Sequence, residues 1–541
     1  MKISKHSLLF GMLALLLSFM LAACASEPDD NAPVDEDDTT GGEEAADDGE
    51  GSGGDLVIAY LSELVTLDPA GSNDVPSSDM QQNIFETLVK FNLDMEVEPG
   101  LAESWDDIDD TTWEFKLQEG VTFHDGSEFT ADDVKATFER ILDEDVASPR
   151  AFLFEMVTDI EVVDDYTVRF ITEYPFAPFP NHLAHKGGSI LSTEAIEADY
   201  AAMEDGAEPG TSISDNPIGT GPFVYDDWSS GQYLRLKNNE DYWGEAAKLD
   251  SVTWKFVSED LTRIAELETG ESHISSPLSP SDVSRIEGTE GLFVNKQESV
   301  SLSYIGFNTQ KEPFDDVRVR QAISMAIDKS QIIDGIYDGI GIPAAGPLAP
   351  PVFGYAEGEA GLEYNVEEAK KLLAEAGYED GFSTTIWTND NRERVDAATN
   401  VQAQLEEIGV DVEVEVLEWG AYLDRTANGE HDMNVLGWST ATGDADYGLY
   451  ALFHSSQHGE PGNRTFIAND ELDKLLDDAR RSTDEEERFN LYRQAEEILV
   501  EEAPMLYIHH QEFLLGVSDK VKGLAQYPTQ IIELKDIYIE E

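Results

Sequence analysis

Two carboxylates, Asp444 and Asp446, lie in a short segment that follows an apolar stretch. Residues 435–438 (VLGW) predict a short buried strand that runs into a loop. Aromatic side chains follow the two acids: Tyr447, Tyr450 and Phe453. An acid in an aromatic-lined loop can hold a small cationic or zwitterionic ligand. The alternative from the pattern alone is a solvated turn followed by core aromatics, because Asp and Gly are ordinary turn residues.

Patterns for metal binding and catalysis are weak in this chain. His182 and His185 have a spacing found in metal sites, and His509 and His510 are adjacent, but no second ligand cluster accompanies either pair in sequence. We therefore predict no metal site and no cofactor. The chain contains no GxSxG nucleophile motif and no phosphate-binding loop. We predict that the protein is not an enzyme; a secreted hydrolase with paired carboxylates is the alternative from another class.

The first 24 residues predict a lipoprotein signal peptide. Lys2 and Lys5 precede an apolar run over residues 8–23, and the small residues of LAAC end at Cys24, the single cysteine. A basic start, an apolar run and small residues before a cleavage site describe a secretion signal. The run is shorter than the about 20 residues that span a bilayer. Its ending resembles the lipobox of bacterial lipoproteins, which implies a lipid anchor at Cys24.

Acidic residues dominate the rest of the chain. Residues 25–54 contain 12 acids and no Lys or Arg, and such a segment predicts a disordered acidic tether because it cannot bury enough surface to offset its ordering entropy. The whole chain has a net charge of −78, and residues 55–541 alone contain 100 acids and 32 bases. This charge argues against a nucleic acid partner, whose phosphates would be repelled. A cationic ligand is one explanation of the acidity, and adaptation of a halophilic or alkaliphilic bacterium is the one we favour, since salt screens self-repulsion.

Strands and helices alternate after the tether. The apolar positions of residues 79–91 have helical spacing and predict a helix, and another helix is expected from about residue 316 to 327. The segments TWEFKL and YTVRFIT have the alternation of strands. Mixed elements over this length predict the α/β class.

Four blocks of the sequence carry a specific resemblance. In chain order they are GLAESWDDIDDTTWEFKLQEGVTFHDGSEFTADDVKATFERI, GTGPFVYDDW, YIGFNTQKEPFDDVRVRQAISMAIDK and EEAKKLLAEAGY. Together they resemble the extracytoplasmic solute-binding proteins of ABC importers, specifically the oligopeptide, dipeptide and nickel family, over about residues 55–541. The loop that begins at Gly437 is most similar to glutathione-binding members, with dipeptide-binding members next.

This resemblance implies a two-lobed periplasmic-binding-protein fold of type II, with an extra subdomain in the first lobe and two crossover strands. The expected divisions are lobe one at 55–304 with the subdomain at roughly 75–210, lobe two at 305–505, and a C-terminal return to lobe one at 506–541. The crossovers are expected near residues 301–308 and 505–511.

The resemblance also implies a set of ligand-binding residues. In dipeptide-binding members an aspartate of the loop binds the ligand ammonium, and the matching residue is Asp446. An arginine before a helix binds the carboxylate, and the candidates are Arg394 and Arg392. Trp438, Tyr447 and Trp387 are expected to wall the pocket. Surface ion pairs for the arginines and core packing for the tryptophans remain the alternatives.

The function implied is capture of a peptide-like solute, namely glutathione, a dipeptide or a short oligopeptide, and its delivery to the permease subunits of an ABC importer. We expect a monomer at the outer face of the cell membrane. The same fold with a nickel chelate or a sugar as ligand remains open.

Overall fold

The computed structural model describes residues 53–356, 361–460 and 462–540. The predicted signal peptide, the lipidation site Cys24 and the tether as far as residue 52 lie outside these ranges. Within them, no helix has both the length and the apolar character needed to cross a membrane.

The elements up to residue 291 include eleven strands. They are β1 (Asp55–Tyr60), β2 (Val89–Phe91), β3 (Val97–Pro99), β4 (Ala102–Asp109), β5 (Thr112–Leu117), β6 (Val157–Asp164), β7 (Thr167–Thr172), β8 (Phe223–Ser229), β9 (Tyr233–Asn238), β10 (Ser251–Phe256) and β11 (Ile274–Ser276). The helices of this part are α1 (Val75–Gln81), α2 (Ala131–Ile141), α3 (Phe179–Ala184), α4 (Thr193–Glu204), α5 (Thr211–Asp215), α6 (Asp260–Thr269) and α7 (Val283–Glu287).

The later elements begin with the longest strand described. The strands are β12 (Leu292–Phe307), β13 (Ile342–Pro343), β14 (Phe382–Asn389), β15 (Val410–Leu417), β16 (Met433–Ser439), β17 (Met505–Ser518), β18 (Val521–Lys522), β19 (Ala525–Gln526), β20 (Ile532–Glu533) and β21 (Tyr538–Ile539). The helices are α8 (Val317–Ala326), α9 (Lys329–Ile336), α10 (Val366–Ala376), α11 (Arg392–Leu405), α12 (Trp419–Ala427), α13 (Ala451–Phe453), α14 (Asp470–Arg481) and α15 (Glu485–Glu502).

One large sheet runs through both lobes, in the order β15-β14-β16-β12-β17-β11-β1-β10-β9-β8, with β13 also paired to β17. Its centre is the antiparallel pair β12 and β17. Leu292 lies opposite Ser518 at one end of the pair and Gly306 lies opposite Met505 at the other, and the register shifts at two points between them. On the first-lobe side β11 joins β17, and on the second-lobe side β16 joins β12. These two long strands therefore connect the lobes, as the fold class predicts.

The first lobe carries a separate four-stranded antiparallel sheet, β4-β5-β7-β6, covered by α2. Alternation in β5 places Phe115 and Leu117 in the core while Glu114 and Lys116 are at least partly exposed. Helix α2 begins with a capping box in which Thr130 and Asp133 satisfy each other's backbone donors. The alternation in β5 and the capping box of α2 are therefore both set by the local sequence.

Predictions of single elements have mixed outcomes. Residues 435–438 form part of β16, and the helix expected near residues 316–327 is α8, so both are confirmed. The helix predicted over residues 79–91 is wrong: α1 ends at Gln81, and residues 89–91 are β2. The apolar side chains of this segment are buried as expected, but β2 pairs with β3, and Gly100 and Ala102 both donate to the Leu88 carbonyl. Tertiary pairing overrides helical spacing here.

Candidate functional site

A cavity of about 270 Å³ lies between the two lobes. One wall consists of residues between 73 and 78 at the start of α1 and residues 184–186 after α3. The facing wall includes residues between 389 and 394 at the start of α11 and residues 436–439 of β16. Strand β17 and residues of the C-terminal segment complete the enclosure. A space of this kind can surround a small molecule and remove most of its surface from water.

Arg394 lies in this wall, in the first turn of α11. Its backbone N–H donates to the side chain of Asn391, the residue that caps the helix, at 2.9 Å, and its Nη1 donates to Asn389 Oδ1 at 3.1 Å. No carboxylate of the described residues lies within ion-pair distance of this guanidinium. A Cβ at Gly437 would lie 3.5 Å from Arg394 Nη2, which is an ordinary van der Waals distance, so the guanidinium packs beside β16. Arg394 thus brings an unneutralised positive charge to the cavity.

Asp74 brings a carboxylate from the opposite lobe. It is the N-cap of α1, where its Oδ2 accepts from the Ser77 N–H at 3.3 Å and its Oδ1 accepts from Ser72 Oγ at 2.8 Å. The residue is 7% exposed. In the part of the chain that the structure describes, no basic side chain forms an ion pair with it. A buried carboxylate in this position favours a cationic group in the cavity.

Trp419, the first residue of α12, contacts both of these charged groups. Its Nε1 donates to Asp74 Oδ2 at 3.3 Å, and the guanidinium carbon of Arg394 lies 5.6 Å from its ring centre. Trp419 therefore links the carboxylate of one wall to the guanidinium of the facing wall.

Trp438 and Tyr447 line the cavity, as the sequence analysis expects of pocket walls. Their rings stack with centres 5.1 Å apart, and Tyr447 also stacks on Phe152 at 5.8 Å. The Tyr447 hydroxyl donates to Asn73 Oδ1 at 3.3 Å, and burial raises the pKa of Tyr447 to about 12. The Trp438 Nε1 is buried without a hydrogen-bond partner among the described residues.

Asp446 lies outside the cavity wall, in a short helical turn over Asp446–Tyr450. Its Oδ1 is 2.9 Å from Arg480 Nε and its Oδ2 is 3.2 Å from His182 Nε2, and the residue is 1% exposed. Burial alone would raise the pKa of Asp446, but Arg480 and His182 outweigh it and the net pKa is lowered. Asp444 is likewise buried and pairs with Arg488 at 2.7 Å, so it does not lie in the solvated turn that the pattern alone left as an alternative. The sequence analysis expects Asp446 to bind a ligand ammonium. Its negative charge is instead matched by Arg480 and His182.

Arg392 and Trp387 also lie outside the wall. The Arg392 side chain is 47% exposed and lies 3.7 Å from Asp260 and 3.6 Å from Asp282, two acids of the first lobe. Trp387 is buried in β14, with the Arg425 guanidinium carbon 4.3 Å from its ring centre. Arg392 is therefore in a surface ion pair and Trp387 is packed in the core, which are the alternatives that the sequence analysis left open for them.

Sequence reasoning missed Asp74 and Trp419. Asp74 precedes Val75 and Pro76, which is a signal for the start of a helix, and α1 begins there. This signal identifies Asp74 as a helix cap, but it does not show that the same side chain also faces a cavity. Trp419 has no sequence signal beyond its position in the first turn of a helix.

Residues 96–460 match the profile of the bacterial extracellular solute-binding proteins, family 5 middle region. Among curated proteins, the chain is 32% identical to the glutathione-binding protein GsiB of Salmonella typhimurium, over 88% of this chain and 92% of that protein.

Solved structures of similar fold also cover nearly the whole chain. The periplasmic binding protein DppA of Helicobacter pylori, in complex with the peptide STSA, has a TM-score of 0.85 at 34% identity and covers 92% of this chain and 100% of its own. A dipeptide-binding protein from a Pseudoalteromonas species, in complex with Met-Leu, has a TM-score of 0.85 at 27% identity, with coverages of 90% and 100%.

Proposed function

Because the chain belongs to family 5 of the bacterial extracellular solute-binding proteins, we propose that it captures a peptide-like solute in the cavity between its lobes. The solute is glutathione, a dipeptide or a short oligopeptide, and the protein delivers it to the permease of an ABC importer. The names of the relatives, which include glutathione-binding and dipeptide-binding proteins, support this ligand class.

The observation that carries the proposal is the pair of unneutralised charges, Asp74 and Arg394, on facing walls. Charged groups in an enclosed cavity are costly unless they are paired, and a zwitterionic ligand pairs both at once. In this proposal Arg394 binds the ligand carboxylate through its two-pronged guanidinium. Asp74, rather than Asp446, receives the ammonium, which displaces the Trp419 indole N–H.

The spacing of these two groups favours a short peptide. An extended chain advances about 3.5 Å per residue, so two or three residues span about 7 to 11 Å. The contacts of Trp419 are on this scale, since the Arg394 guanidinium carbon lies 5.6 Å from its ring centre and Asp74 Oδ2 lies 3.3 Å from its Nε1. Closure of the lobes around such a ligand is a shift between pre-existing populations and requires no catalysis.

The proposal includes the membrane anchor. A lipid on Cys24 and the acidic segment 25–54 would hold the binding domain, as a monomer, at the outer face of the cell membrane and near its permease. Mass spectrometry of the mature protein would detect the lipid on Cys24, and an unmodified N-terminal segment would contradict this part.

Thermal denaturation with added ligand tests the binding proposal. Ligand that binds only the native state stabilises it by about 2.7 kcal/mol at a hundredfold excess over Kd. We expect glutathione or a dipeptide to raise the melting temperature of the wild type, and Arg394→Ala to abolish most of the rise.

Arg392→Ala is the matched control, because Arg392 lies in the same helical turn but pairs with acids outside the cavity. Equal ligand stabilisation of the wild type and of Arg394→Ala would reject Arg394 as the carboxylate site. Recovery of the peptide intact after incubation would separate this function from that of a hydrolase, whereas cleavage products would favour the hydrolase.

A further inference from the structure

Two basic side chains, His185 and Lys186, follow α3 in the first-lobe wall of the cavity. Neither is needed for the zwitterion contacts proposed above. Their hydrogen bonds and charges indicate which further ligand group the cavity can bind beside an ammonium and a carboxylate.

The contacts of His185 fix the position of its ring proton. The Gly187 N–H lies 3.0 Å from His185 Nδ1, and Arg150 Nη1 lies 3.2 Å from the same atom. Both groups are donors only, so Nδ1 accepts and the ring proton is on Nε2. Burial, reinforced by the charge of Arg150, holds the pKa of His185 well below its ordinary value, so the ring is neutral.

The Nε2–H of His185 has no hydrogen-bond partner among the described residues. This nitrogen is also absent from the buried atoms of the described chain that lack a partner, so it reaches accessible space. Because His185 lines the cavity and its ring centre lies 5.1 Å from that of Tyr447, which also lines it, the accessible space next to His185 is the cavity. The ring therefore offers a fixed donor to a ligand acceptor.

Lys186 brings a positive charge to the same wall of the cavity. Burial lowers its pKa, and Glu533, Lys90 and Glu86 act on it only through longer-range electrostatics. Within the described ranges, no carboxylate forms an ion pair with its Nζ and no acceptor forms a hydrogen bond with it. An ammonium group in a site of this kind is stabilised when an anion enters the cavity beside it.

We infer that His185 and Lys186 form a second anion-binding subsite, which selects peptide ligands that carry two carboxylates. Both side chains are donors without an acceptor, and a carboxylate is the ligand group that matches a charged and a neutral donor together. The subsite lies on the lobe opposite Arg394, so each lobe binds one carboxylate. The inference rests on the proposed function, since Arg394 and Asp74 hold the other two charged groups of the same ligand. Glutathione, with two carboxylates and one ammonium, has this chemistry.

The dipeptides Ala-Glu and Ala-Gln test the subsite, because they have nearly the same shape and differ by one carboxylate. Glutathione is the third probe. Titration calorimetry on the purified full-length protein would give the affinity of each probe for the wild type, Lys186→Met, Lys186→Arg and Arg394→Ala. We expect the wild type to prefer Ala-Glu to Ala-Gln by about tenfold or more, since the additional bond is charge-assisted. We expect Lys186→Met to lose this preference while its affinity for Ala-Gln stays within about twofold, and Lys186→Arg to retain most of it.

The outcomes separate the subsite from the proposed function. If Arg394→Ala weakens all three probes while Lys186→Met removes only the preference for the additional carboxylate, both hold. If the wild type binds Ala-Glu and Ala-Gln equally, or binds none of the probes, the subsite is rejected. If Lys186→Met weakens both dipeptides equally, Lys186 has a structural role and the inference fails. If Arg394→Ala binds as the wild type does but the preference depends on Lys186, the subsite stands and the Arg394 assignment fails.

Discussion

Asp74 has two roles that a single substitution can separate. It caps α1, and it presents a carboxylate to the cavity. Asparagine is about as good a helix cap as aspartate but carries no charge. Asp74→Asn should therefore keep the helix and lose the counter-charge for a ligand ammonium.

We expect Asp74→Asn to bind a zwitterionic dipeptide at least tenfold more weakly, with a melting temperature close to that of the wild type in the absence of ligand. Titration calorimetry and thermal denaturation measure the two effects. Unchanged affinity in a normally folded variant would show that Asp74 is only a helix cap.

Asp79, on the same helix, is a buried acid whose protonation affects stability. Its Oδ1 accepts from the Ile532 N–H at 2.8 Å, while its Oδ2 is buried. Burial raises the pKa of Asp79 to about 7, against about 3.9 in an unfolded chain. The native state therefore holds a proton that the unfolded state releases, and the associated stability is lost as the pH rises from about 4 through 7.

We expect Asp79→Asn to remove this loss. Three pKa units correspond to about 4 kcal/mol, so the wild type should lose about that much more unfolding free energy than the variant between pH 4 and pH 8. Urea denaturation of both proteins over this range gives the difference. Parallel pH profiles would mean that Asp79 is ionised in the native state.

At the level of elements, α14 links the second lobe to the first. Arg480 of this helix lies 2.9 Å from Asp446 in its own lobe and 2.7 Å from Glu155 in the other, and its guanidinium carbon is 3.7 Å from the Tyr450 ring centre. Asp446 in turn lies 3.2 Å from His182 of α3. This buried network joins the lobes on one side of the cavity.

Loss of Arg480 should destabilise the protein strongly, because Asp446 would remain as a buried charge with its main partner removed. We expect Arg480→Ala to cost about 3 to 5 kcal/mol of unfolding free energy. Arg481→Ala is the matched control: among the described residues the exposed Arg481 side chain has only a ring contact with Tyr174 at 4.8 Å, and its loss should cost less than about 1 kcal/mol. Similar unfolding midpoints for the two variants would contradict the importance of the network.

The sequence predicts elements and residue types better than it predicts the partners of those residues. Arg394, Trp438 and Tyr447, which the resemblance implies as candidate ligand-binding residues, are in the cavity wall. Asp446 is not, because its charge is matched by Arg480 and by His182, which are far from it in sequence. No local pattern indicates which of several acids will find such partners. The same limit explains the incorrect helix at residues 79–91, where pairing with a later strand decides the outcome.

For the whole molecule, the acid excess is distributed over the folded body, and our proposals make the ligand an anionic or zwitterionic peptide. These proposals do not account for the acidity through a cationic ligand. We propose instead that the acid excess suits conditions in which screening reduces the repulsion among the carboxylates.

Added salt should accordingly stabilise the fold. We expect the melting temperature to rise from 0.1 to about 1 M sodium chloride, where the screening length falls from about 10 Å to about 3 Å. Potassium chloride serves as the control for a sodium-specific effect. A melting temperature that stays constant or falls would show that repulsion among the carboxylates does not limit the stability of the fold.

The central pair β12 and β17 determines the order in which the chain can complete its structure during synthesis. The second lobe lies between these strands in the sequence, so most of it is available for packing before β17 has been made. The first lobe is different, since its strand β11 pairs with β17. Ile274 cannot pair with Val517 until β17 has been synthesised. Domains generally fold from the N-terminus as synthesis proceeds. Here the N-terminal lobe is the last to finish, and a chain that stops before β17 lacks the strand on which both halves of the large sheet depend.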